Sequence, residues 1–103
     1  MFKRLLILGS ILCLLSNISV ANKIDSLLKV VGQTKVDTTL INCWNELSLE
    51  YAENDTLLAK NYAAKSLNLA RKINYAKGII KSNYAFAYIA ELNYQYPLAE
   101  KYY

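Results

Sequence analysis

The sequence predicts an all-α fold built from antiparallel helix pairs. Three observations lead there. Apolar residues recur at helical spacing from Asn22 onward, no alternating apolar–polar run persists, and the polar breaks between periodic stretches are short. Helices joined by such short links must double back on one another, because the chain has no length to travel further.

At 103 residues the chain holds one small domain at most. A hydrophobic fraction of 54% excludes a disordered chain, which needs low hydrophobicity and high net charge. The net charge is +4, and it falls to +2 once Lys3 and Arg4 are removed with the leader described next. The remaining lysines are spaced along the chain and interleaved with acids. They read as solvated helix faces rather than the clustered basic face of a nucleic-acid binder. Ten Lys against two Arg, with ten Asn and nine Tyr, is the bias of an AT-rich coding sequence, so the tyrosine content carries no functional weight by itself.

Residues 1–21 read as a secretory signal peptide. Lys3 and Arg4 give a positive start, Leu5 to Leu15 an apolar run, and Ser19-Val20-Ala21 the small residues that signal peptidase requires. Cleavage is expected between Ala21 and Asn22, which sends the mature chain to the periplasm or the exterior. Two alternatives are weaker. Residues 5–21 would serve poorly as an uncleaved membrane anchor, because Ser16, Asn17 and Ser19 thin the far end and a span needs about 20 predominantly apolar residues. Lipid attachment at Cys13 is disfavoured because Leu12 before it is not small. Cleavage leaves Cys43 as the one thiol, which excludes an internal disulfide and fits a small buried residue in a helix.

Residues 22–36 form a short leading helix and linker. Ile24, Leu27, Leu28 and Val31 make one apolar stripe, and Gly32 is expected to end the helix. Asp37 or Thr38 is expected to cap the next helix. Its predicted buried stripe is Leu40, Trp44, Leu47 and Tyr51, with Ile41 and Ser48 alongside. Glu53-Asn54-Asp55-Thr56 is a polar break in which Asp55 caps a helix running from about Thr56 to Ile73. That helix turns Ala59, Tyr62, Ala63, Ser66, Leu67, Ala70 and Ile73 inward and Lys60, Asn61, Lys65, Asn68 and Arg71 outward. The first hairpin thus spans residues 37–75. A second occupies 76–103, with Ile80, Asn83, Phe86, Ala87 and Ala90 on one stripe. Asn93 is expected in a left-handed turn, and Pro97 in the first turn of a fifth helix.

The two hairpins resemble the tetratricopeptide repeat, which pairs W-x2-L-G-x2-Y on one helix with A-x3-F-x2-A on the next. Trp44, Leu47, Ser48 and Tyr51 fill the first motif, with Ser for Gly. Ala59, Ala63 and Ser66 fill the second, with Ala for the aromatic. Asn83, Phe86, Ala87 and Ala90 match one unit on, followed by Ala99 and Tyr103. The period from Trp44 to Asn83 is 39 residues, longer than the family's usual length of about 34. The resemblance runs from about Thr38 to Tyr103 and implies an α-solenoid, here truncated in its second repeat. Such arrays need roughly three units before neighbours bury one another, so residues 22–103 are expected to melt broadly or to self-associate.

Catalysis is not expected. The sequence has no His, so Ser-His-Asp and Cys-His pairs and HExxH zinc sites are excluded. Gly9, Gly32 and Gly78 are isolated and form no phosphate loop. Glu46, Glu50 and Glu53 share helical spacing but read as an exposed polar face. No cofactor, metal, nucleic acid or small-molecule substrate is expected. The resemblance implies instead a protein or peptide partner held on the concave surface lined by the first helix of each unit. On that face it nominates Asn42, Asn45 and Leu49, and one unit on Lys81, Tyr84 and Tyr88. Export and helical repeats also open long bacterial signalling proteins. The alternative is therefore a sensor input region, with a membrane helix and a kinase or regulator domain further along.

Overall fold

The computed structural model describes residues 21–93 and 101–103, and among them every regular element is helical. Helix α1 is described over residues 21–33, followed by α2 (Asp37–Tyr51), α3 (Thr56–Lys72) and α4 (Ala76–Leu92). Residues 1–20 of the expected 1–21 leader, the turn at Tyr94 and the helix start at Pro97 lie outside the described residues. Residues 101 and 102 are helical.

Hydrogen bonds fix the directions of the helices. Ser48 Oγ donates to the Ala59 carbonyl at 2.7 Å, and Ser66 Oγ donates to the Ile41 carbonyl at 3.2 Å. Seven residues forward on α2 are therefore seven residues back on α3, and the two run antiparallel. The same holds for α3 and α4, where Ser82 meets Ser66 and Gly78 meets Ala70. By consequence α4 runs parallel to α2, with Asn45 opposite both Gly78 and Ser82.

Most residues at these crossings are small, with Ile41 and Leu47 the large ones sealed among them, and size helps to explain where the buried stripes fall. On α2 the fully buried line is Ile41, Asn45, Ser48 and, just past its end, Ala52, with Leu47 and Cys43 to either side. Leu40, Trp44 and Tyr51, expected at the centre of the stripe, are only half-buried. Helix axes approach closely only where side chains are short, so the bulky rings flank the contact instead of lying in it. Tyr51 stacks on Tyr62 of α3 with ring centroids 6.0 Å apart. On α3 the inward residues Ala59, Ala63, Ser66, Leu67 and Ala70 are buried as the periodicity predicts, and Lys60, Asn61, Lys65, Asn68 and Arg71 are exposed. Ile73 lies at the cap and is exposed.

Helix α4 shows the largest departure. Its contact with α2 and α3 is made through Gly78, Ser82, Ala85 and Ile89, roughly opposite Ile80, which is 68% exposed rather than buried. A Cβ on Gly78 would stand 2.7 Å from Ile41 Cγ2 and from Tyr75 Cδ1, and 3.1 Å from Ala70 Cβ, so only Gly fits this crossing. Of the expected stripe, which forms a second face, Ala87 and Ala90 are buried as expected, Asn83 and Phe86 are half-buried, and Ile80 is exposed. There Phe86 stacks on Tyr102 at 5.2 Å.

The helix ends also differ from expectation in part. Asp55 caps α3, accepting from the Leu58 amide at 3.1 Å. At α2 the N-cap is Val36, with no side-chain cap bond, and Asp37 lies inside the first turn. Gly32 lies within α1 and no described glycine has a positive φ, so it does not form a left-handed cap. Asn93 has φ −98°, and Asn74 (φ 58°) is the left-handed residue. Around it Tyr75 N donates to Ala70 O at 2.8 Å and Asn74 N to Arg71 O at 3.3 Å, the paired bonds that close a helix C-terminus and turn the chain into α4. Asn tolerates this backbone better than other non-Gly residues.

Candidate functional site

The nominated residues divide into those consumed by packing and those left exposed. Asn45 belongs to the first group. It is 2% exposed, its Nδ2 donates to the Gly78 carbonyl at 3.4 Å, and its Oδ1 lies 3.0 Å from Ser82 Oγ. A side chain so enclosed offers nothing to a ligand, and its nomination as a partner contact is corrected. The reason is the seat of α4, which covers that turn of α2. Asn42 is half-buried, and its Oδ1 accepts from Tyr75 Oη at 3.3 Å; Leu49 is half-buried too.

One unit on, the equivalent residues are more open. Lys81 is exposed and Tyr84 is 50% exposed. Tyr88 is half-buried against the cluster of Ala52, Ala59 and Ile89, and its hydroxyl donates to Glu53 Oε1 at 3.2 Å. Burial, then that bond to Glu53, raises its phenol pKa above the ordinary 10.0. A groove of about 210 Å³ lies beside this face, lined by Ile80, Asn83, Tyr84, Tyr102 and Tyr103. Tyr84 and Tyr103 meet at a tilt, with centroids 6.2 Å apart.

The polar centre that periodicity did not reveal is Asn45, Ser66 and Ser82, one residue from each of α2, α3 and α4. Ser82 Oγ lies 3.0 Å from Asn45 Oδ1, 3.0 Å from Ser66 Oγ and 2.8 Å from the Gly78 carbonyl. A hydroxyl has one proton, so Ser82 donates to one of the three at a time. Among the described residues no buried side-chain N or O lacks a partner. The cluster is thus satisfied from within and registers the three helices. The signal in the sequence was a polar residue on each of three otherwise apolar faces.

Other chemistry-bearing side chains are occupied. Glu50 and Glu46 receive Lys23 Nζ at 2.7 and 3.6 Å, tying α1 to α2. Among the described residues no three His, Cys, Asp or Glu side chains gather as a metal site. Cys43 is a free, buried thiol whose pKa is raised first by burial and then by the charge of Glu46, the reverse of what activates a nucleophile. No described helix is long and apolar enough to cross a membrane. No protein-family model, curated protein or solved structure matches the chain.

Proposed function

We propose that this chain is a non-enzymatic interaction module of tetratricopeptide type, exported from the cytoplasm, that holds a protein or peptide on the face presented by α2 and α4. The observation that carries the reading is the opening of that face on α4. Lys81 and Tyr84 stand free one unit after Asn42 and Asn45, which packing occupies. Exposed aromatic area beside a cation is well suited to a polypeptide partner, since rings give large contact at low entropic cost. The motif positions support the repeat reading. Ser48 and Ala87, 39 residues apart, are both fully buried small residues where helices approach. The lack of His throughout the sequence and the suppressed reactivity of Cys43 support a binding role over a catalytic one.

The test is capture of extracytoplasmic proteins by the tagged chain, compared with a Lys81→Ala/Tyr84→Ala variant of matching helical circular dichroism. A specific partner lost in the variant is the expected result. Capture that survives both substitutions would place the contact elsewhere. Export is tested separately by sequencing the mature N-terminus, expected at Asn22.

A further inference from the structure

Charge is segregated between the helices in a way that the overall balance conceals. Residues 37–55 carry five acids, Asp37, Glu46, Glu50, Glu53 and Asp55, and no Lys or Arg. Residues 56–90 carry six bases and no acid. Interleaving of the two signs is therefore confined to the stretches on either side. Four of the six bases, Lys60, Lys65, Arg71 and Lys72, belong to α3, and all four are exposed. At about 100° per residue they fall within about 140° of the helix circumference and span about 18 Å of its length. The buried line of Ala59, Ala63, Ser66 and Ala70 occupies the other side, against α2 and α4. Among the described residues both ion pairs are made by Lys23, so none of the four has an acidic partner. Lys65 Nζ reaches only the Tyr62 ring, 5.8 Å from its centroid. The dipole of α3 accounts for Arg71 and Lys72 in the last turn, but not for Lys60 and Lys65. On α2, Glu46 and Glu50 each lie about 200° round the helix from Ser48, the residue that meets α3. The helix pair thus has a positive outer side and a negative one.

We propose that the outer face of α3 lies on an anionic lipid surface, with the acids of α2 turned away from it. A further helix, of this chain or another, is a poor occupant. Helices seat here on small and apolar residues, as Gly78 does on Ile41 and Ala70, and burying four cations without acids is costly. A phosphate-bearing surface answers the cations while they stay hydrated. Lysines are point charges on flexible stems, and at steps of five or six residues they suit a field of negative charge better than one fixed site. Leu57, 71% exposed, falls in the same arc and can enter the boundary between headgroups and acyl chains. Attachment of this kind is reversible and weakened by salt. It draws on charge placement alone, not on the 39-residue correspondence, and it uses a surface distinct from that of Lys81 and Tyr84 on α4.

The test is sedimentation of the whole chain with vesicles of phosphatidylcholine alone or with about a third phosphatidylglycerol. The neutral vesicles set the background. Binding above it is expected on the anionic vesicles, and should vanish at about 1 M salt, where charges are screened beyond about 3 Å. Lys60→Glu/Lys65→Glu should weaken it about tenfold or more at unchanged helical circular dichroism. Lys29→Glu/Lys35→Glu makes the same change in net charge at exposed positions outside α3, and should weaken it far less. Equal loss in the two variants would mean that net charge alone attracts the chain, and overturns the proposal. So does binding retained by Lys60→Glu/Lys65→Glu. Absence of binding to the anionic vesicles overturns it as well, and salt-sensitive binding to polyglutamate in that case would assign the face to an acidic polypeptide. Lys81→Ala/Tyr84→Ala should leave vesicle binding largely intact, which separates failure of this surface from failure of the partner face.

Discussion

Ser82 Oγ on α4 stands 3.0 Å from Asn45 Oδ1 on α2, and this contact holds two helices separated in sequence by the whole of α3. Buried polar pairs are worth little over water when complete, but they specify one register, because any slip leaves them unpaired. Here a slip by one turn would also drive Gly78 off Ile41. Asn45→Ala should lower stability by about 1–2 kcal/mol, since Ser82 retains the Gly78 carbonyl and no donor is orphaned. The Asn45→Ala/Ser82→Ala double variant should cost less than the two singles combined. Urea denaturation of all four proteins measures the coupling, and strict additivity would show that the two side chains do not act as a pair.

Gly78→Ala tests the closeness of the crossing. In an open helix this change would stabilise by about 1 kcal/mol. Here the new methyl meets Ile41 Cγ2 and Tyr75 Cδ1 at 2.7 Å, and Ile41 is fully enclosed with no room to yield. Overpacking of this kind costs about 1–3 kcal/mol, so the net change should be destabilising. A stabilised variant would mean that α4 sits further from α2 than described.

These two positions show how far the sequence carried. Apolar spacing located four helices and the exposed face of α3 residue by residue, because Lys60, Asn61, Lys65, Asn68 and Arg71 leave α3 one apolar side. It read α4 only in part, because that helix is apolar nearly all round and has two buried faces. Periodicity placed Ala87 and Ala90 inside, where they are, but put Ile80 with them and left out Gly78, Ser82 and Ala85, which are buried. The same bias placed Trp44 at the centre of α2 and Asn45 on its outer face. A scale that ranks residues by hydrophobicity cannot see that closeness between helices is set by smallness, nor that an Asn is buried when a Ser on another helix answers it. Two of the six nominated partner contacts, Lys81 and Tyr84, are exposed; that depended on which turns of α2 the following helix covers.

The caps give a paired comparison. Asp55 accepts from the Leu58 amide at 3.1 Å, whereas Asp37 begins α2 without a side-chain cap bond. Asp55→Ala should cost about 1 kcal/mol, the usual loss for an N-cap. Asp37→Ala loses only the interaction of a carboxylate with the helix dipole and should cost about 0.3–0.5 kcal/mol. Thermal melts at low salt resolve the difference. A larger loss at Asp37 would reverse the assignment of the two ends.

Stability should decline on the alkaline side. Cys43 is buried and lies near Glu46, and both raise its thiol pKa above the ordinary 9.0. Burial, then the neighbouring Tyr51, raises the Tyr62 phenol above 10.0. Lys23 is raised above 10.5, first by its hydrogen bond and then by its charge interaction with Glu50. In each case the folded state keeps its proton to a higher pH than the unfolded chain. Their contributions are therefore fully present below the unfolded values and lost as pH rises through the folded ones. From pH 9 upward the unfolded state binds fewer protons than the folded state, first at Cys43, then at Tyr62, then at Lys23. The free energy of unfolding must fall over that range. Cys43→Ala should flatten the earliest part of the decline and leave the later part in place. The thiol should also resist modification at pH 8 until denaturant is added. Rapid labelling of Cys43 in the folded protein, or a stability constant from pH 8 to pH 10.5, would contradict its enclosed position on α2.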